Sequence, residues 1–437
     1  CKSMQIWVAL SNSDLTTLNH REVELQAAAL AIDSSGSAGG HGFVPTSLPL
    51  KLKLQGAGLA VSWPGGSFQT KDNQLIFSAR SAITVASIKR AGGKSAHPSY
   101  LGKIRVANLK GKLRVSLQVG LDQYLRGVLE AEMPASYHPE ALKCQALAAR
   151  TYALKPRLPH DLDQTNVCDS FLCCQYFAGL GAIDPRIEHA VVATAGQVLA
   201  YNGEPLLALF SSNAGGHTEN YENCFSDPQS GAFPPAPLPY LKGVAEGKFA
   251  VPAGSEAFLR YLYNAVAVKH EQISADSWTP KFHWKVHLSA DALEAHMHHV
   301  VEKLAATADT APYVVPPKSR EFGHIQGFEV LKRGVSGVAI TLKIKTSSGD
   351  WHVSKELVIR KAFANADVKL ARLSSARIFF EQGEDKLGLL NNLTIFGLGF
   401  GHGVGLQQTG AQGFARAGQN YRQILSHYFP GSEIQVL

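Results

Sequence analysis

A chain of 437 residues, 45% hydrophobic and 18% charged, is long enough to bury a sizeable core and to form more than one domain. Its formal net charge of +7 favours anionic partners, but no dense Lys/Arg run, zinc-finger spacing or RNA-binding aromatic motif accompanies it, so nucleic acid is not an expected partner. No apolar run approaches the ~20 residues that span a bilayer.

Residue 1 is Cys rather than Met, which leaves two readings open: an arbitrary boundary, or a processed N-terminus whose Cys1 carries lipid and attaches the chain to a membrane. The other cysteines are Cys144, Cys168, Cys173, Cys174 and Cys224. An adjacent pair close to Cys168 suits a metal site or a local disulfide better than a disulfide framework in a chain of this length.

In chain order, residues 1–100 read as a β-rich region, with "MQIWVAL", "LKLKLQGAGLAVSW" and "AITVASIKR" as strand-like runs and "GSAGGHGFVPTSLP" as a loop. Residues 101–119 form a hairpin that leads into a helix. On that helix Leu121, Tyr124, Leu125, Val128 and Leu129 define one apolar face. At about 100° per residue Glu132 falls within roughly 20° of the middle of this stripe, whereas Glu130 points the other way. Pro134 disfavours helical backbone at Met133, so the chain turns just after Glu132. A half-buried carboxylate at a helix end beside a turn calls for a function.

A second, Ala-rich helix begins at Pro139, a residue suited to the first helical position. Lys143 and Arg150 share one face of it with Leu147 and Leu154, and two cations on a half-apolar face point to a functional or ion-pair role. After a Pro-rich link at 230–245, a helix starts from Ser289, and "GVAITLKIK" and "WHVSKELVI" read as strands. His296, His298 and His299 diverge around the helix, which favours a solvated face over a metal site. Near the end, Gly397, Gly399, Gly401, Gly403 and Gly405 alternate with larger residues. If extended, this stretch presents one bare face to a ligand, and His402, Gln407 and Gln408 beside it suit a polar ligand such as a sugar. Neither dinucleotide nor triphosphate loop spacing can be read there.

The run "YLRGVLEAEMPASYHPEALKCQALAARTYAL" resembles the signature of the SpoIID/LytB family. "CCQYFAG", "SSNAGGHTEN", "PYLKGV" and "GFGHGVGLQQTGAQGFARAGQNYRQIL" look like that family's later motifs in the same order. The resemblance implies an α+β fold, a mixed β-rich core with a few helices and a second inserted subdomain. The expected segments are 1–100, N-terminal and β-rich; 101–245, the first part of the core with the catalytic helix; 246–375, the inserted α+β subdomain; and 376–437, the Gly-rich C-terminal part of the core. It implies a lytic transglycosylase of peptidoglycan in the extracytoplasmic cell envelope, with Glu132 as the catalytic acid/base. Lys143, Arg150, Ser212, Gly215, Gly216, His402, Gln407 and Gln408 become the expected substrate-binding residues. The same family includes amidase enhancers, which makes an N-acetylmuramyl amidase an expected partner and a non-catalytic wall-binding module the alternative.

In some members of the family two cysteines and a histidine hold zinc. Cys168 and Cys174 match the cysteines, but the family histidine falls on Leu162, which leaves His160, Asp161 and Asp163 as the nearest substitutes and Cys173 as a stand-in for Cys174. The chemistry itself requires no cofactor: the muramic acid 6-hydroxyl attacks C1 while Glu132 serves first as acid and then as base. A hydrolase would need a second carboxylate about 5–9.5 Å from the first, for which Glu219, Asp169 and Asp163 are candidates. A cysteine peptidase using Cys168 or Cys174 with His217 or His402 is a further alternative that no spacing requires, and no G-x-S-x-G elbow is present.

Overall fold

The computed structural model describes residues 4–33, 49–90, 97–155, 160–179, 181 and 183–437; Cys1 and all but the last residue of the expected loop at 36–49 lie outside them. The chain forms two compact units, residues 1–198 with 435–437 and residues 199–434. The four expected segments do not coincide with these units, because the β-rich N-terminal region and the helices that follow it share the first one. The architecture is α+β.

The first unit is built on a six-stranded sheet ordered Val167–Cys168, Gln5–Leu10, Lys112–Gly120, Lys103–Leu109, Gln74–Ser78 and Ala31–Asp33. The expected hairpin is Lys103–Leu109 with Lys112–Gly120, closed by Lys110 and Gly111 at φ of 51° and 74°, the positive values that a two-residue turn between twisted strands requires. Helix α1 (Leu121–Glu132) follows at once and buries Leu121, Tyr124, Leu125, Val128 and Leu129, as its spacing predicts. Its end is set by Met133, extended at φ −137° ahead of Pro134. Helix α2 (Pro139–Leu154) starts at the expected proline, and the ring of His138 accepts from the Glu140 N–H to cap it. Its small residues Ala141, Ala146, Ala148, Ala149 and Ala153 are all buried, which lets α2 pack closely with α1 and with α3 (Pro185–Ala193). Gly127 of α1 is a glycine because the Phe177 ring lies where its Cβ would be.

In the second unit the helix expected from Ser289 is Ala290–Ala306, with the Ser289 hydroxyl accepting from the Ala292 N–H. Leu293, Met297, Val301 and Leu304 line its buried face while His298 and His299 are exposed, and His296 pairs with Asp367 at 3.0 Å. "WHVSKELVI" divides: Trp351–Ser354 is a strand, Lys355 turns at φ 73°, and Glu356–Ala362 is helical.

Gly397 lies in the strand Leu390–Leu398, but the rest of the glycine run is not extended. Gly399, Gly401, Gly403 and Gly405 all have positive φ, between 73° and 100°. Their backbone winds around the fully buried Arg377, whose guanidinium donates to the carbonyls of Asn213, Gly401 and His402. A Cβ on Gly403 would meet that guanidinium, so these glycines make room for a buried cation. Gly403→Ala is expected to destabilise the protein by about 2–4 kcal/mol, from positive-φ strain plus overpacking. Urea unfolding checks it, and a loss below about 0.5 kcal/mol, the level of a neutral surface change, would contradict the packing described.

Candidate functional site

Glu132 is the last residue of α1 and is half-buried, while Glu130 is exposed. The Glu132 Oε1 accepts from the Tyr176 N–H at 2.8 Å. No side-chain pattern announced that donor, because it is a backbone group.

The segment that delivers it, residues 168–177, is held along its length. Asp169 is fully buried, and its carboxylate takes the Arg90 guanidinium at 2.6 Å and the Ser11 N–H at 2.8 Å. Burial pushes the Asp169 carboxyl up and Arg90 opposes the shift. The Cys173 and Cys174 N–H groups donate to the Ser170 carbonyl. Gln175 is buried and donates to the Tyr124 hydroxyl and the Ala149 carbonyl. Phe177 packs against Tyr100 and Tyr124, at centroid distances of 5.9 and 5.0 Å.

His160, from the short helical turn His160–Asp163, converges with Cys168, Cys173 and Cys174 of this segment, with one ligand atom from each lying within 4.8 Å of the others. The His160 Nε2 is 3.1 Å from the Cys174 Sγ and 3.5 Å from the Cys173 Sγ, and the two sulfurs are 3.9 Å apart. Tetrahedral zinc with bonds near 2.3 Å places its sulfurs about 3.8 Å from one another, so these donors fit. Of the substitutes for the family histidine, His160 is the one found beside the two expected cysteines, and Cys173 lies with Cys174 in the same cluster. The side chain of Asp161 is outside the described residues. Cys174 has His160 as its histidine neighbour, and the Nδ1 atoms of His217 and His402 bond to backbone groups of Thr218 and Val404, which leaves a cysteine peptidase without support.

The two cations of α2 are placed differently. Lys143 bonds the Glu140 carboxylate at 2.6 Å and keeps 19% of its side chain exposed. Arg150 is only 1% exposed: its guanidinium faces the end of α3, donating to the Val191 carbonyl, the Thr194 hydroxyl and the Gln197 carbonyl, with Asp122 at 3.5 Å. This closes a helix C-terminus, so the position is one of support, not of open contact with a ligand. Arg150→Ala is expected to cost about 3 kcal/mol in urea unfolding, since it strands buried carbonyls, and Lys143→Ala less than about 1 kcal/mol. Equal losses would refute this division.

Ser212, Gly215, Gly216, His402, Gln407 and Gln408 belong to the second unit. Gly215 and Gly216 have φ of 67° and 93° and donate to the Asn213 and Asp276 side chains. Gln407 is fully buried, accepting from Ser211 and donating to the Gly405 carbonyl, and Gln408 is buried beside it. The His402 Nδ1 accepts from the Val404 N–H, its ring packs edge-on to Phe225, and burial pushes its pKa down to about 4, so it is neutral near pH 7. Ser212 accepts from the ammonium of Lys281, which also lies 5.7 Å from the ring of the exposed Phe400. Lys281 carried no signal in the sequence, whereas Phe400 was one of the larger residues alternating with the glycines.

The three carboxylates considered as a second acid are all engaged in the fold. Asp169 pairs with Arg90, and Asp163 is 3.5 Å from Arg114. Glu219 is fully buried and accepts from Asn220, Asn223, Val335 and Ser336.

Residues 109–201 match the family model of SpoIID, the stage II sporulation protein, and residues 228–405 match a domain of unknown function, DUF8618. The first match contains α1, α2, Glu132 and all four convergent metal-type donors. Among curated proteins the chain is 27% identical over 312 residues to an amidase enhancer of Bacillus subtilis, an alignment that covers 71% of this chain and 40% of that protein. It is 26% identical over 330 residues to stage II sporulation protein D of the same organism, covering 72% of this chain and 74% of the relative. An uncharacterized protein of Brachyspira hyodysenteriae is 26% identical over 341 residues, covering 77% and 72%.

Proposed function

Because the chain belongs to the SpoIID/LytB family, we propose that it acts on the bacterial cell wall as a lytic transglycosylase that cuts the glycan strands of peptidoglycan. The observation that carries this reading is Glu132, half-buried at the end of α1 and fixed by the Tyr176 N–H, while Asp169 and Glu219 are each committed to structural partners and Asp163 faces Arg114 at 3.5 Å. In the reaction, Glu132 gives its proton to the glycosidic oxygen as the C1–O bond breaks. The muramic 6-hydroxyl then attacks C1, and Glu132 takes its proton. No water is consumed, and the products are an anhydromuramic end and a free 4-hydroxyl. An intramolecular nucleophile gains from high effective concentration, which lessens what the protein must supply.

Mass spectrometry of glycan incubated with the protein is expected to show 1,6-anhydromuramic ends. Reducing muramic ends alone would identify a hydrolase. Strands stripped of stem peptides are expected to be cut best, since the net charge of +7 favours free lactyl carboxylates, and raised salt should weaken the reaction. Equal rates on both kinds of strand would refute this.

His160, Cys168, Cys173 and Cys174 would hold zinc. With four protein donors the metal would have no open position and would fix the 168–177 segment, and with it the Tyr176 N–H that meets Glu132. The relative named an amidase enhancer favours a second reading, in which the chain binds wall or an amidase without cutting glycan. Either activity would be exercised outside the cytoplasm, where the cell wall lies. Among the described residues no helix is long and apolar enough to cross a membrane.

A further inference from the structure

The large sheet of the first unit carries a recess of about 200 Å³ that no step of the reaction uses. Its origin lies in the register. Ala9 pairs with Ser116, which pairs with Arg105; Arg114 pairs with Ala107, which pairs with Gln74. Two neighbouring rows across the sheet therefore set the small side chains of Ser116 and Ala107 beside two diagonally placed arginines, with Ala9 next to Ser116 on the adjoining strand. The short residues leave a dent, and the guanidinium groups stand beside it. Residues Asp163, Gln164 and Thr165 line it from the segment that follows His160.

The polar groups of the recess are poorly satisfied by the protein itself. The Arg114 Nε and the Thr165 hydroxyl are buried and without a hydrogen-bond partner among the described residues, and Thr165 is only 8% exposed. Arg105 is rigidly placed: its Nε donates to Ser116, its Nη2 to the carbonyls of Asp163 and Gln164, and its plane lies 4.3 Å over the Trp7 ring. One carboxylate, Asp163, faces the two cations, and it reaches Arg114 only at 3.5 Å. A buried donor without an acceptor costs about 1–3 kcal/mol, so the site gains from any ligand that brings an acceptor with negative charge. A guanidinium presents paired N–H groups that suit a carboxylate. The volume exceeds that of the 150 Å³ type of cavity that takes a benzene ring, and Leu18, Leu109 and Val115 supply an apolar margin.

We propose that this recess binds a small carboxylate-bearing ligand, no larger than one acidic sugar or amino-acid residue, with its carboxylate on Arg114 and Thr165 beside Arg105. The proposal rests on the recess alone and stands whether or not Glu132 cuts glycan. Heteronuclear NMR of the full chain labelled at arginine, at low salt, tests it with three probes: N-acetylmuramic acid, the uncharged N-acetylglucosamine, and inorganic phosphate. Saturable shifts of the Arg105 and Arg114 Nε resonances are expected with N-acetylmuramic acid, and none with N-acetylglucosamine. Arg114→Gln should weaken binding about tenfold or more, the equivalent of one charge-assisted hydrogen bond. Thr165→Val, which leaves both charges in place, should weaken it as well, which guards against a variant that merely loosens the strand. Absence of any response, an equal response to N-acetylglucosamine, or undiminished binding in both variants overturns the site. A stronger response to phosphate overturns the carboxylate assignment.

Discussion

Glu132→Gln is expected to abolish most glycan cleavage, lowering the rate by about 10² to 10⁴ or more. The amide keeps the size of the carboxyl and can still accept from the Tyr176 N–H, but it has no proton to give to the leaving oxygen. Folding should survive, since a neutral isostere removes a desolvation cost at a half-buried position. Glu130→Gln, on the exposed side of the same helix, is the matched control and should change nothing measurable. Anhydromuramic ends released at the parental rate by Glu132→Gln would end the catalytic assignment. If neither protein cleaves but both stimulate an added amidase, the non-catalytic reading takes its place.

The second large effect concerns the four donors. Protein purified without chelator should carry one zinc per chain, and Cys174→Ser should lower metal affinity by more than the 10- to 100-fold seen when only a supporting partner of a ligand is lost. Cobalt substitution reads the site directly, because absorption in the thiolate charge-transfer region grows with the number of cysteine ligands. Cys173→Ser should reduce that intensity, as should Cys168→Ser. Loss of metal should also depress glycan cleavage, since Tyr176 follows Cys174 by two residues and its N–H holds Glu132. Fully active protein without metal would leave the cysteines a purely structural part.

Where local rules act on consecutive residues, the sequence was legible. The apolar stripe of α1, Pro134 after it, Pro139 at the start of α2 and Ser289 ahead of its helix each specify an element by neighbours in the chain, and each element stands where expected. Of the metal-type cluster, Cys168 and Cys174 were candidates through family spacing and His160 as the substitute histidine; that Cys173 lies with all three depends on how the chain turns between 160 and 174. What could not be read depends on partners distant in sequence. Arg150 looked like a ligand-facing cation because its acceptors, at 191, 194 and 197, lie more than forty residues away. The glycine run suggested a bare extended face, because nothing in the pattern around Arg377 announced a buried guanidinium for the backbone to encircle. Lys355 interrupted an apparently continuous strand through a single positive φ, which apolar periodicity does not register.

The order of strands in the large sheet limits how the protein can be divided. Gln5–Leu10 lies between Val167–Cys168 and Lys112–Gly120, pairing in parallel with the first and antiparallel with the second. A fragment cut to the family-matched stretch, 109–201, would therefore lack the strand that joins its own two edges, and would expose unpaired backbone along both. It would also lose Arg90, leaving the Asp169 carboxylate buried with no counter-ion beside the cysteine segment. The portion that carries the recognisable sequence thus leans on the rest of the chain: the segment beside Glu132 is held by a scaffold contributed by residues near the start of the chain, and recombination or truncation that respects only the matched boundaries would separate the two.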